Sequence, residues 1–164
     1  MRAPALLALA LALSGCGLQP VYSGGSEGPV ATTLSQIEVA PIAGESGWLV
    51  ANALRDRILP NGGSPRYRLE VALDDSIIGL GVRADESVTR ERRTLRARYQ
   101  LIDLATGAVV LDASAGSDAG VDVVNSEYAT IAAEKTALER LTGIVADQIV
   151  ARIARYALAQ PATP

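Results

Sequence analysis

Six arginines fall within sixteen residues, at Arg83, Arg90, Arg92, Arg93, Arg96 and Arg98, with Asp85, Glu86 and Glu91 among them. A guanidinium fork recognises phosphate through parallel charge-assisted hydrogen bonds, so this run reads as an anion site. It is a local reversal of sign in a chain whose formal net charge is −3. The competing reading is a solvated strand face with local ion pairing, the commonest fate of a charge run. The acidic neighbours leave the two about evenly weighted.

Other chemistry is harder to assemble. Asp74-Asp75, Asp85-Glu86 and Asp118 with Asp122 could be argued into a carboxylate pair for glycan hydrolysis, but nothing in the sequence brings two of them to a defined separation. Gly79-Leu80-Gly81 is only a fragment of a phosphate loop, lacking the third Gly and the helix after it. Ser126 has no base beside it and reads as a helix cap. With one Cys and no His, the chain cannot build Cys/His zinc sites, Ser–His–Asp triads or Cys–His pairs. The acidic balance argues against a nucleic-acid partner. The expectation is a non-enzyme with no cofactor.

Cys16 has a different role. Arg2 is the only charge before Glu27, Ala3 to Leu13 is apolar throughout, and Leu13-Ser14-Gly15-Cys16 follows. A positive residue, a short apolar run and small residues before a cut make a secretory signal over 1–15. The run is too short for the ~20 residues that span a bilayer as a helix. Leu-Ser-Gly-Cys resembles a bacterial lipobox, which makes Cys16 the lipidated first residue of the mature protein. Two or more acyl chains anchor a protein stably where one does not. Gly17, where Asp would favour inner-membrane retention in the sorting pattern, points to the outer membrane.

The mature chain needs a scaffold to hold the arginines. Residues 16–33, rich in Gly, Ser and Pro, read as the lipidated Cys and a flexible tether. A single domain is expected over 34–160. Leu34 to Ala40 alternates as a first strand, and a helix from about Gly47 to Leu59, capped by Ser46, carries Val50, Leu54 and Ile58 on one stripe. Tyr67, Leu69, Val71 and Leu73 share one face of a second strand, which extends to Val82 with a bulge or close approach at Gly79 and Gly81. Thr89 to Asp103 is a third strand, with Leu95, Ala97, Tyr99 and Leu101 opposite Arg96, Arg98 and Gln100. Leu104 to Gly107 turns it into Ala108 to Ala115, where Val109, Leu111 and Ala113 share a face. A Gly/Asp/Ser-rich loop leads to the capping pair Asn125-Ser126. A helix of over thirty residues follows, from Glu127 to Ala159, with Ile131, Leu138, Leu141, Val145, Ile149, Ile153 and Tyr156 on its stripe and a kink site at Gly143. Tyr128 and Trp48 stand near helix starts as contact candidates. The expected fold is α+β: a two-layer sandwich of a four-stranded, mostly antiparallel mixed sheet with two helices on one face, leaving the other face polar.

These pieces match a family. Cys16-Gly17-Leu18-Gln19-Pro20-Val21-Tyr22 resembles the Cys-Gly-Phe-x-Pro-x-Tyr opening of the lipopolysaccharide-assembly lipoproteins LptE, with Leu18 in place of the aromatic residue. The resemblance continues through Ile37-Glu38-Val39-Ala40-Pro41, Leu54-Arg55-Asp56, Tyr67-Arg68-Leu69-Glu70-Val71, Thr89-Arg90 and Ser126-Glu127-Tyr128-Ala129. Each motif is short; their order carries the match. The resemblance implies a mixed sheet against two helices, held by a lipid anchor at the periplasmic face of the outer membrane. It also implies a protein that plugs and helps assemble the β-barrel LptD and assists lipopolysaccharide insertion into the outer leaflet. The six arginines would then meet lipopolysaccharide phosphates or acidic lumen groups. The alternatives are an auxiliary lipoprotein of an ABC-type lipid transporter and a periplasmic glycan hydrolase.

Overall fold

The computed structural model describes residues 25–58, 62–82, 88–124 and 126–160. Cys16 and Arg83 lie outside them. A 3-10 turn, Gly25–Glu27, leads into α1 (Pro29–Ser35), β1 (Ile37–Val39), α2 (Gly44–Arg57), β2 (Tyr67–Val82), β3 (Val88–Asp103), β4 (Val109–Asp122) and α3 (Glu127–Ala159). The strands form one mixed sheet in the order β1-β2-β3-β4. β1 lies parallel to β2, and the other pairs are antiparallel.

One face of the sheet is covered. Leu69, Leu95, Tyr99 and Leu101 are buried there in one core with Val50 and Leu54 of α2 and with Leu138, Leu141, Val145, Ile149 and Ile153 of α3. Each such aliphatic side chain stabilises the fold by about 1.5–3 kcal/mol through burial. Tyr156 meets the edge of Tyr67 with ring centroids 6.5 Å apart at 89°. Ile131, expected on this stripe, is exposed instead, since it lies in the first turns of α3 ahead of the core.

The described residues form three α-helices, not two, the additional one packing against α3. The third, α1, falls within the stretch expected as tether, where composition hid a hydrophobic pair. Val30 and Leu34, four residues apart, are buried in the core and Pro29 opens the helix. Leu34 thus leaves the first strand, which shortens to Ile37–Val39.

α2 begins three residues before the expected start, and Ala43 occupies its N-cap without a side-chain hydrogen bond, so Ser46 is not the cap. Gly47 explains the early start. A Cβ there would stand 2.7 Å from the Ile42 carbonyl oxygen, so the incoming chain crosses the helix where only Gly fits. At the other end of α2, Arg57 Nε donates to Asp147 Oδ1 at 2.6 Å, Nη1 to the Ala53 carbonyl at 2.7 Å, and Nη2 to the Gly143 carbonyl at 3.5 Å. α3 runs as one helix through Gly143, without the expected break there.

β2 and β3 pair without a shift through Gly79; the one irregularity in the ladders lies between Leu101 and Ile102 against β4. That shift pairs Val109 with Ile102 and leaves Val109 exposed, while Val110, Leu111 and Ala113 pack toward the core. β4 also continues to Asp122, through the stretch expected as a loop. Its small residues permit this: a Cβ at Gly116 would stand 2.6 Å from Arg96 Cδ, and one at Gly120 would stand 3.3 Å from Arg90 Nε. Arginines of β3 lie across the glycines of β4. Ser126 is at the N-cap of α3 without a side-chain cap bond; Thr130 Oγ1 instead accepts from the Val124 N–H at 3.3 Å. No helix of the described residues is long and apolar enough to cross a membrane.

Candidate anion-binding face

β3 runs through the interior of the sheet, and its alternation sorts the arginines. Glu91, Arg93, Leu95, Ala97, Tyr99 and Leu101 share the helix-covered face; Arg90, Arg92, Thr94, Arg96, Arg98 and Gln100 share the open one. The run of like residues in the sequence is therefore two groups with different surroundings.

Arg93 is structural. Its Nε and Nη2 donate to the two oxygens of Asp75 at 3.0 and 2.8 Å, and its Nη1 donates to the Glu134 carbonyl at 3.1 Å. The two side chains are only 14% and 16% exposed. The fork thus ties β2, β3 and α3 together, and the hydrogen bond to Asp75 holds the Arg93 guanidinium above its usual range. Beside it Glu91 Oε2 is shut from solvent without a donor. Burial, then the charge of Glu134 and a hydrogen bond with it, push the Glu91 carboxyl up.

On the open face, Arg98 Nη2 and Gln100 Nε2 both donate to Asp112 Oδ2, at 3.0 and 2.9 Å. The bonds from Arg98 and then Gln100 hold the Asp112 carboxyl below its usual range. Arg90 Nε lies 3.5 Å from Asp122. Arg92 and Arg96 form no ion pair with any described residue. The neighbours of Arg92 across the ladder, Ile78 and Gly120, are uncharged. Arg96 has Asp74 on one side and Gly116 on the other. Arg96 and Arg98 border a shallow depression of about 330 Å³, whose walls include Ala72, Asp74 and Ser114. Four of the five described arginines of this run thus share the solvent face, two of them without an ion pair to a described residue.

The remaining candidates stay scattered. Asp74 and Asp75, as neighbours on one strand, point to opposite faces, and Asp75 is held by Arg93. Among the described residues no group of three or more His, Cys, Asp or Glu could hold a metal ion. Trp48 and Tyr128 are both exposed, as contact residues would be. The anchor Asp75 was missed in the sequence, although it left a signal. It has the core parity of Leu73 and Ile77, as Arg93 has that of Leu95, so two opposite charges at core positions predict each other.

A protein-family model for LptE, lipopolysaccharide-assembly, matches residues 34–153. No curated protein matches. Among solved structures, a putative lipoprotein from Caulobacter crescentus CB15 is similar at 24% identity and a TM-score of 0.67, covering 81% of this chain and 100% of its own. The rare lipoprotein B from Shewanella oneidensis is similar at 12% identity and a TM-score of 0.59, over 75% and 96% of the two chains. A minor lipoprotein from Acinetobacter baumannii is similar at 13% identity and a TM-score of 0.57, over 74% and 94%. At these identities the likeness is one of fold. The family model covers most of the chain, including all four strands and most of α3, and the chain belongs to the LptE family of lipopolysaccharide-assembly proteins.

Proposed function

We propose that this protein is an outer-membrane lipoprotein, anchored through acylated Cys16, that plugs and helps assemble an LptD-type β-barrel. In that seat it assists passage of lipopolysaccharide to the outer leaflet. The observation that carries the reading is the polar sheet face with uncommitted Arg92 and Arg96, in a chain of the LptE family. The lumen of a large barrel is polar, and a plug needs a polar surface to sit against it. Four residues along a strand separate Arg92 and Arg96 by about 13 Å. That spacing suits two phosphates at the two ends of a disaccharide headgroup. The reading invokes binding and positioning, with no cofactor beyond the covalent lipid and no catalysis.

The test is a detergent pull-down of the tagged full-length protein from its native membrane, with bound proteins identified by mass. A large outer-membrane β-barrel in near one-to-one amount is the expected result. Recovery of an ABC permease and its binding protein instead would move the function to lipid transport between membranes. Cys16→Ser should release the protein from the membrane fraction; retention of that variant without a barrel partner would remove the anchor.

A further inference from the structure

At Gly116 the outer edge of β4 is covered by a side chain. The Gln148 amide accepts from the Gly116 N–H at 3.0 Å and donates to the Gly116 carbonyl at 3.3 Å, as a neighbouring peptide group would. Backbone groups alternate along a strand, so the N–H and C=O of Ser114 point out of the same edge. No described residue bonds them there. α3 runs antiparallel to β4, since Thr130 meets Val124 and Gln148 meets Gly116. From Gln148 to Arg152 the helix advances about 6 Å, and from Gly116 to Ser114 the strand advances about 7 Å. Arg152 therefore stands beside Ser114 as Gln148 stands beside Gly116, with a guanidinium in place of the amide.

A cleft of about 390 Å³ opens at this place, walled by Tyr99, Ser114, Gln148, Arg152 and Arg155. Tyr99 is only 2% exposed, and its hydroxyl has no hydrogen-bond partner among the described residues. That hydroxyl is not sealed in the core but opens to the cleft. A buried phenol ordinarily finds a partner. The charges of Arg152 and Arg155 both act on Tyr99, which sets the two guanidinium groups beside the phenol. Arg155 Nε donates to the Ala151 carbonyl at 3.3 Å, and neither arginine has an ion pair with a described residue. Like charges three residues apart on a helix repel each other, and an anion shared between them offsets this.

We propose that the cleft between α3 and β4 is a docking site for an acidic segment of a partner polypeptide. A carboxylate of that segment accepts from Arg152, Arg155 and the Tyr99 hydroxyl, while an adjacent peptide group pairs with Ser114. Charge selects the carboxylate, because the three side chains that converge here are donors. The edge of β4 selects a polypeptide. Ser114 offers one donor and one acceptor, which a peptide group matches, whereas a phosphate dianion brings acceptors alone and leaves the carbonyl unmatched. Gln148 blocks the edge at Gly116, so the contact is one acid and its neighbouring peptide group rather than a whole added strand. The site lies on the helix-covered side, away from Arg92 and Arg96, and does not depend on what those two meet.

The experiment is an NMR titration of the full-length, nitrogen-15-labelled protein in detergent. The probe is the blocked pentapeptide acetyl-Thr-Val-Glu-Val-Thr-amide, with its Gln counterpart and inorganic phosphate as controls. The Glu peptide should shift the Ser114 amide. Its dissociation constant should rise at least about tenfold when Arg152→Gln and Arg155→Gln are combined. Tyr99→Phe keeps the packed ring, removes only the hydroxyl and should weaken binding less. Both arginines are exposed, and circular dichroism verifies that each variant is folded. An unmoved Ser114 amide overturns the proposal, and so does an affinity indifferent to the arginine pair. Equal binding of the Gln peptide removes the carboxylate. Phosphate that shifts Ser114 alike and binds more tightly than the peptide would make this a simple anion site and overturn the polypeptide as occupant. Barrel capture in the pull-down is scored separately, so failure here leaves the plug reading as it stands.

Discussion

Arg93 and Arg92 are adjacent in the chain and carry the same side chain, yet they belong to different parts of the molecule. Arg93 faces α3, where Asp75 and the Glu134 carbonyl occupy its fork. Arg92 faces solvent between Ile78 and Gly120 with no described ion partner. The covered face uses its charges as joints; the open face leaves some to meet something else. A charge in a buried joint is costly to leave unpaired, whereas a solvated one costs almost nothing.

The largest effect should come from splitting the joint. Arg93→Met leaves Asp75 largely buried and unpaired and should destabilise by about 3 kcal/mol, read from urea denaturation. Adding Asp75→Leu should recover most of that loss; if the double variant is as unstable as the single, the pair is not the joint it appears in geometry. The open-face counterpart is Arg92→Glu with Arg96→Glu. Stability should move by no more than about 0.5 kcal/mol, while affinity for lipopolysaccharide at low salt should fall about tenfold, equivalent to ~1.4 kcal/mol. Salt should shrink the difference by screening. Equal binding by variant and parent at low salt would reduce the arginines to a solvated face.

A smaller change is expected at the β4 edge. Gln148→Ala should cost about 0.5–1 kcal/mol and speed hydrogen exchange at the Gly116 amide. Unchanged exchange would mean that the amide is not the cover.

Two carboxylates sharpen the comparison through pH. Glu91, on the covered face, has its pKa raised in the folded protein. Its contribution is therefore most favourable when protonated at low pH, and is lost as pH rises through the folded value. Asp112, on the open face, has its pKa lowered by Arg98 and Gln100. Its contribution is present above the unfolded carboxylate value and is lost as pH falls through the folded one. Glu91→Gln should thus stabilise the protein at neutral pH, and Asp112→Asn should flatten the loss of stability in acid. Denaturation midpoints across the acidic range give both signs.

Much of this was legible in the residues. The alternation Tyr67, Leu69, Val71, Leu73 against Arg68, Glu70, Asp74 gave the covered face of β2, and the turn after Asp103 gave the hairpin. The arginine run, by contrast, reads in the sequence as one group, whereas Arg93 is bonded to Asp75 and to the Glu134 carbonyl on the covered face. The parity of Leu95 already placed Arg93 inside, but its partner lies eighteen residues away across a hairpin. Only a known register shows that the two charges meet. The extension of β4 was hidden for a related reason: Gly, Asp and Ser suggest a loop unless one knows that arginines from the next strand fill the space above them.

The sequence by itself determined the local periods: two for β2 and β3, near 3.6 for α3. These depend on side chains close together in the chain. Tertiary structure decided which neighbours each period meets. It folded Val30 and Leu34 onto the core as α1, turned Arg93 into a joint and capped β4 with Gln148. Those outcomes rest on contacts between residues far apart in sequence, and such contacts exist only once the strands have taken their register.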